Sequence, residues 1–344
     1  MTTKMRSEIA EQPAALRATL DALLPRIGEV KSLAGRTRQL VFIARGTSDN
    51  AAVYGRYLIE AHAGRMSSLA APSIATTYKR RLDLTGVLAV ALSQSGRTEE
   101  IVETLAWAKD CGAVTVAITN GGERSPLAET AHLALCTEAG EEKAVPATKT
   151  YTTQLAALAV LAIGLGADVN ADDLARVPDA VEELIADPGD LEAVVEGLAH
   201  VSGVVVSGRG MAFSTALETA LKLKEACYLH AMGLSYADLL HGPIAVVDES
   251  TPALLVAAGE GPTLPGTIAL ARRVTGAGAY SYGVGGGAEL AAASTAALNG
   301  PALPEWVAPL GLIVPGQLLT EALARRRGID PDSPRGLNKV TQTE

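Results

Sequence analysis

Short apolar runs alternate with longer helical patterns along this chain, and the alternation occurs twice. Residues 40–44, 87–92 and 114–118 read as strands, with helical patterns over 50–63 and 99–111 between them. Such a βαβαβ order packs as a parallel sheet covered by helices, because parallel strands need crossovers and helices supply them. A second series follows, with strands expected at 201–207, 244–247, 253–258 and 280–284 and helices over 213–229 and 267–274. Val41-Phe42-Ile43-Ala44-Arg45-Gly46 aligns with Val205-Val206-Ser207-Gly208-Arg209-Gly210, which places a strand, an Arg-Gly turn and a helix in register and predicts duplicated domains. The expected fold is α/β, with two domains that each hold a mainly parallel sheet flanked by helices. A chain of 344 residues also exceeds what one core sustains. The divisions expected are a helical segment over 1–34, domains over 35–170 and 171–327, and a tail over 328–344. Pro13 and Pro25 interrupt the first of these, and Asp330-Pro331-Asp332-Ser333-Pro334 keeps the last out of regular helix.

With 29 basic against 38 acidic residues the net charge is −9, which argues against a nucleic-acid or anionic-membrane surface. Cys111, Cys136 and Cys227 are odd in number and far apart, so they read as buried small hydrophobes, with neither a disulfide framework nor a metal site expected. No cofactor is implied. The longest apolar run, 155–167, is too short to span a bilayer and reads as a buried core helix. Residues 1–10 lack the apolar stretch of a secretory signal, so a cytoplasmic address is expected.

Two turns carry the strongest chemical signal. In Leu92-Ser93-Gln94-Ser95-Gly96-Arg97-Thr98-Glu99 a strand stops at a hydroxyl-rich turn and a helix begins at once. Helix-start N–H groups and the hydroxyls of Ser93, Ser95 and Thr98 suit an oxyanion such as phosphate, although Ser95 or Thr98 as a plain helix cap fits the same pattern. Gly46-Thr47-Ser48 repeats the arrangement after the neighbouring strand. The corresponding turns of the second half, Arg209-Gly210-Met211-Ala212 and Ala257-Ala258-Gly259-Glu260-Gly261, have almost no hydroxyls, so one phosphate site is expected, in the first half. Farther on, Glu218, Lys222 and Glu225 fall at i, i+4 and i+7 on one helix face, a pattern that a solvated, salt-bridged surface also produces. His241 stands at a helix end beside Gly242-Pro243, where a structural histidine is the plainer reading.

These residues together resemble the sugar isomerase (SIS) family, and most closely the isomerase half of glucosamine-6-phosphate synthase. The resemblance runs through Glu8-Ile9-Ala10-Glu11-Gln12-Pro13, Arg45-Gly46-Thr47-Ser48, the Ser93 to Thr98 turn, Ala147-Thr148-Lys149-Thr150-Tyr151-Thr152-Thr153-Gln154, Ala216 to Glu225, His241-Gly242-Pro243 and Pro334-Arg335-Gly336-Leu337-Asn338-Lys339. No segment resembles the glutamine-hydrolysing half of the synthase, so ammonia delivery by a tunnel is not expected.

The resemblance implies a hexosamine or N-acetylhexosamine 6-phosphate as ligand. The 6-phosphate would rest on Ser93, Gln94, Ser95 and Thr98 with Thr47 and Ser48 beside them, and Val145, Ala147 and Glu218 would contribute to the sugar side. Glu225 would move the proton between C1 and C2, with Lys222 one turn earlier. Lys339 would form a Schiff base with the open-chain sugar, and His241 would open the ring in the neighbouring subunit of a homodimer. Three departures fall at the sugar end: Arg97 where relatives carry Glu, Leu240 in place of a Lys, and Val145-Pro146-Ala147 in place of Val-Ala-Ser. The expected reaction is isomerisation with deamination. β-Elimination of water from an N-acetylated substrate is the alternative, and a non-catalytic sugar-phosphate sensor is a further one, although no helix-turn-helix segment is evident.

Overall fold

The computed structural model describes residues 2–339. Its described residues form two five-stranded sheets, and every neighbouring pair of strands is parallel. The first contains β1 (Gln39–Ile43), β2 (Ser67–Leu69), β3 (Val87–Ser93), β4 (Val114–Thr119) and β5 (Leu133–Cys136), in the order β2-β1-β3-β4-β5. The second contains β6 (Gly203–Gly208), β7 (His230–Ser235), β8 (Ala253–Ala257), β9 (Ser281–Gly285) and β10 (Ala296–Leu298), in the order β10-β9-β8-β6-β7. From its other edge this is the same winding. The aligned valines also occupy equivalent registers, Val41 opposite Ala89 and Val205 opposite Ala253.

Burial on both faces explains why the central strands read as unbroken apolar runs: all seven residues of β3 and all six of β4 are buried. The helix Glu99–Asp110 lays Ile101, Leu105 and Ala108 on the first sheet against Ile43, Ala89 and Ala117. The helix Lys149–Gly164 is buried on nearly every side, and Gly164 lets it approach Val30 so closely that a Cβ there would lie 2.5 Å away. It covers most of the expected core helix and begins six residues earlier. Among the described residues no helix is long and apolar enough to cross a membrane.

One expected strand is absent. Residues 244–247 fall largely in a 3₁₀ turn, Pro243–Val246, because Gly242 enters it at φ +136° and Pro243 has no N–H to give a ladder. The four edge strands, β2, β5, β7 and β10, carry no run strong enough to be read from sequence; β2, β5 and β10 are three or four residues long, and β7 is longer but largely half-buried or exposed.

The chain packs as two compact units that do not follow the linear division. The unit around the second sheet takes the N-terminal stretch to Pro13, Lys143–Thr148 and Arg176–Lys339, and that around the first takes Ala14–Glu142 and Lys149–Ala175. Hydrogen bonds tie the N-terminal stretch into its unit: the Asp332 carboxylate accepts the N–H groups of Lys4 and Met5, each at 2.8 Å, and Thr3 donates to Glu321.

Candidate active site

Strand order reverses between β1 and β3, and open α/β sheets take ligands at the carboxyl ends of such a pair. Both hydroxyl turns lie there. Ser93 ends β3, is buried, and places its Oγ 3.2 Å from Thr98 Oγ1. Thr98 occupies the cap position of the helix Glu99–Asp110, yet its side chain makes no capping bond. The capping interpretation is therefore excluded for Thr98. Ser95 Oγ accepts the Arg97 N–H at 3.2 Å, a bond internal to the turn. Gln94 and Ser95 are half-buried, and the Gln94 carbonyl accepts the Asn120 N–H at 3.0 Å. After β1, Gly46 turns the chain at φ +57° into the helix Thr47–Leu58. Thr47 is half-buried, and buried Ser48 accepts a 3.0 Å hydrogen bond from Gln154 of the core helix, which leaves its own O–H free to point elsewhere. At the edge of these turns Arg45 forms a paired contact with Glu100 at 3.0 Å, while Arg97 is exposed. Burial holds the Asp49 carboxyl above its usual range, opposed by Arg45.

The matching place in the second sheet, between β6 and β8, holds the Glu305 carboxylate instead of hydroxyl turns. Thr263 donates to the Glu305 carboxylate at 3.0 Å, and a Cβ on Gly261 would lie 2.5 Å from the same carboxylate. A Cβ on Gly210, in the other turn, would lie 3.6 Å from it. Sequence reading missed Glu305, because nothing local ties it to turns more than 40 residues earlier.

Glu218, Lys222 and Glu225 of the helix Ala212–Cys227 form a largely buried row rather than the solvated face that spacing also allows. Glu218 is 0% exposed and Lys222 2%, with Lys222 Nζ 3.5 Å from Glu218 and 2.5 Å from Glu225. Only Glu225, 23% exposed, reaches solvent. The row stays in place because its helix packs Ala216, Ala220 and Leu223 into one core with Leu312, Leu319 and Leu323 of the helix Pro309–Arg326. That helix approaches closely at Gly316, where a Cβ would meet Thr219 Oγ1 at 2.7 Å.

The same unit brings the tail and the segment Lys143–Thr148 together. Lys339 Nζ donates to the Ala144 carbonyl at 2.7 Å, and Val145 N–H donates to Asp332 O at 3.1 Å. Val145 and Ala147 are half-buried. Tyr228, which ends the helix bearing Glu225 at φ +55°, accepts the Arg335 N–H at 2.8 Å and lies under the Arg335 guanidinium at 4.3 Å. His241 follows the C-terminus of the helix Tyr236–Leu240 and is exposed, and the bonds that join Lys222 to Glu225 and Lys339 to Ala144 do not include it. The three cysteines are buried as expected, and burial pushes the Cys227 thiol up to about 12. No group of three or more His, Cys, Asp or Glu among the described residues could hold a metal ion.

Comparison with known proteins identifies the family. The SIS domain profile matches residues 35–164. A candidate phosphosugar isomerase from Silicibacter pomeroyi DSS-3 is 32% identical, with a TM-score of 0.86 over 96% of this chain and 100% of that one. The chain belongs to the SIS family. A second SIS relative, the C-terminal domain of glucosamine-fructose-6-phosphate aminotransferase from Francisella tularensis, is 28% identical with a TM-score of 0.86, over 97% and 98% of the two chains. The isomerizing glutamine–fructose-6-phosphate aminotransferase of Methanothermobacter thermautotrophicus is 35% identical over 99% of this chain and 57% of its own length. The SIS chain thus spans little more than half of such curated relatives.

Proposed function

We propose that this SIS protein is an enzyme of aminosugar 6-phosphates that moves a proton between C1 and C2 of the open-chain sugar and releases ammonia. Glucosamine 6-phosphate plus water then gives fructose 6-phosphate and ammonia. The observation that carries the reading is the buried row Glu218, Lys222, Glu225, of which only Glu225 is accessible. A carboxylate held by a buried ammonium and open on one side is placed to take and return a proton. Membership of the SIS family and the similarity to fructose-6-phosphate aminotransferases support the substrate class.

In this reading the phosphate rests on Ser93, Gln94, Ser95 and Thr98, with Thr47 and Ser48 alongside. Glu225 is the base and Lys222 holds it. Lys339 forms an imine with the open-chain sugar, and Val145, Ala147 and Glu218 serve its sugar end. The working enzyme is a homodimer in which the exposed His241 of one subunit opens the ring bound by the other. A second reading, elimination of water from an N-acetylhexosamine 6-phosphate, is favoured by the sugar-side segment. Pro146 offers no N–H and Ala147 no hydroxyl, which suits an acylated nitrogen better than a free one.

Incubation with each sugar phosphate, following ammonia, ketose phosphate and product mass, separates the two. Ammonia from glucosamine 6-phosphate, reduced at least ~10²-fold in Glu225→Gln, is the expected result. A product lighter by one water from the N-acetylated sugar, with no ammonia from the free amine, establishes the second reading in its place. Full activity of Glu225→Gln overturns both.

A further inference from the structure

The N-terminal helix Lys4–Ala10 carries a buried carboxylate that the proposed mechanism does not use. Glu8 is 4% exposed, and its carboxylate accepts the backbone N–H groups of Lys143 and Ala144, the latter at 3.2 Å. The next peptide unit, joining Ala144 to Val145, is held on both sides by the tail. Its carbonyl accepts Lys339 Nζ at 2.7 Å and its N–H donates to Asp332 O at 3.1 Å. The Asp332 carboxylate in turn accepts the first N–H groups of the Glu8 helix. These bonds close a ring running from the Glu8 helix to residues 143–145, to the tail and back to the helix. Bonds from backbone N–H groups to an ionised carboxylate are shorter and stronger than neutral ones, so Glu8 anchors the segment that receives Lys339 through two such bonds.

We propose that Glu8 is a positioning residue: by fixing Lys143 and Ala144 it aims the Ala144 carbonyl that berths Lys339, and so sets where that lysine meets the open-chain sugar. The inference rests on the proposed imine-forming role of Lys339. In that step Lys339 loses its ammonium proton to water and the amine lone pair attacks the sugar carbonyl carbon. The C–N bond forms, and the carbonyl oxygen departs as water with the two remaining amine protons. The berth fixes the starting place of the nitrogen and takes no part in the bond changes. A reactive group displaced by about 1 Å loses much of its rate while substrate affinity, set elsewhere, is little changed.

The test uses the full chain with fructose 6-phosphate and borohydride, which reduces the imine to a stable adduct that peptide mass spectrometry locates and counts. The wild type is expected to carry the adduct on Lys339. Glu8→Ala should form it at least ~10-fold more slowly, with kcat lowered in parallel and KM within about twofold. Glu8→Gln, which keeps the shape and one acceptor, should fall between, and it stands in if Glu8→Ala does not fold. An adduct on Lys339 formed at the wild-type rate in the folded Glu8 variants overturns the positioning role alone. Absence of any Lys339 adduct in the wild type overturns the lysine's proposed role, and the inference with it.

Discussion

A threonine that begins a helix without capping it has given up a bond ordinarily worth ~1 kcal/mol. Thr98 does this, and its hydroxyl lies beside Ser93 at the end of β3. If the pair serves the substrate phosphate, Thr98→Val should lower affinity for a sugar 6-phosphate roughly tenfold, about 1.4 kcal/mol, as measured by calorimetry. Folding stability in urea should fall by only about 1 kcal/mol or less, because no helix cap is removed. Unchanged affinity would place the phosphate away from this turn. The hydroxyls themselves were legible in the sequence, but the choice between cap and ligand was not, since it depends on a side-chain torsion. The charged row on the Glu225 helix is a similar case. Spacing puts Glu218, Lys222 and Glu225 on one face, but only the packing of the helix Pro309–Arg326 shows that face to be buried. Burial also raises what is at stake, since removing one partner of a buried ion pair costs about 3–5 kcal/mol, against tenths for a surface pair.

At the level of the element, the Ser93 to Thr98 turn is shaped from below by the loop after β4. Gly96 sits at φ +64°, where a Cβ would lie 2.6 Å from Ser125 Oγ and 2.8 Å from Thr119 Oγ1. A Cβ on Gly121 would come within 2.2 Å of Ser95 O. Gly64, which ends the turn Ile59–Ala63, has nearly the same backbone angle, φ +62°, with nothing within 4 Å. Gly96→Ala should therefore cost about 2–4 kcal/mol, conformational strain plus overpacking, and Gly64→Ala only ~1 kcal/mol from strain. Equal losses in urea titrations would show that the loop yields to the added methyl. The same physics explains which strands were readable. Central strands covered on both faces must be apolar throughout, as β3 and β4 are, whereas the edge strands need no such run.

Across the whole molecule, two sheets with one winding have diverged in what they hold at the strand-order reversal. The first ends there in hydroxyl turns, and the second places the Glu305 carboxylate between its own. The proposed exchange of His241 between subunits gives a prediction at this scale. His241→Ala and Glu225→Gln proteins, each inactive alone, should regain up to about a quarter of wild-type activity when mixed and reassembled, because half of random dimers are mixed and each mixed dimer carries one intact site. Mixed dimers demonstrated by mass spectrometry but inactive would confine the site to one chain.

The sequence by itself determined the α/β class, the repeated strand–helix pattern and the central strands, because burial and periodicity impose those on local composition. Family membership was also legible, since the motifs occur in order along the chain. Tertiary structure alone decided that Thr98 leaves its helix uncapped, that the Glu218 row is buried and that residues 244–247 turn rather than extend. It also brought Glu8, Ala144 and Lys339 into one ring of hydrogen bonds. Such bonds join residues up to 328 positions apart, and no local pattern encodes a partner at that distance.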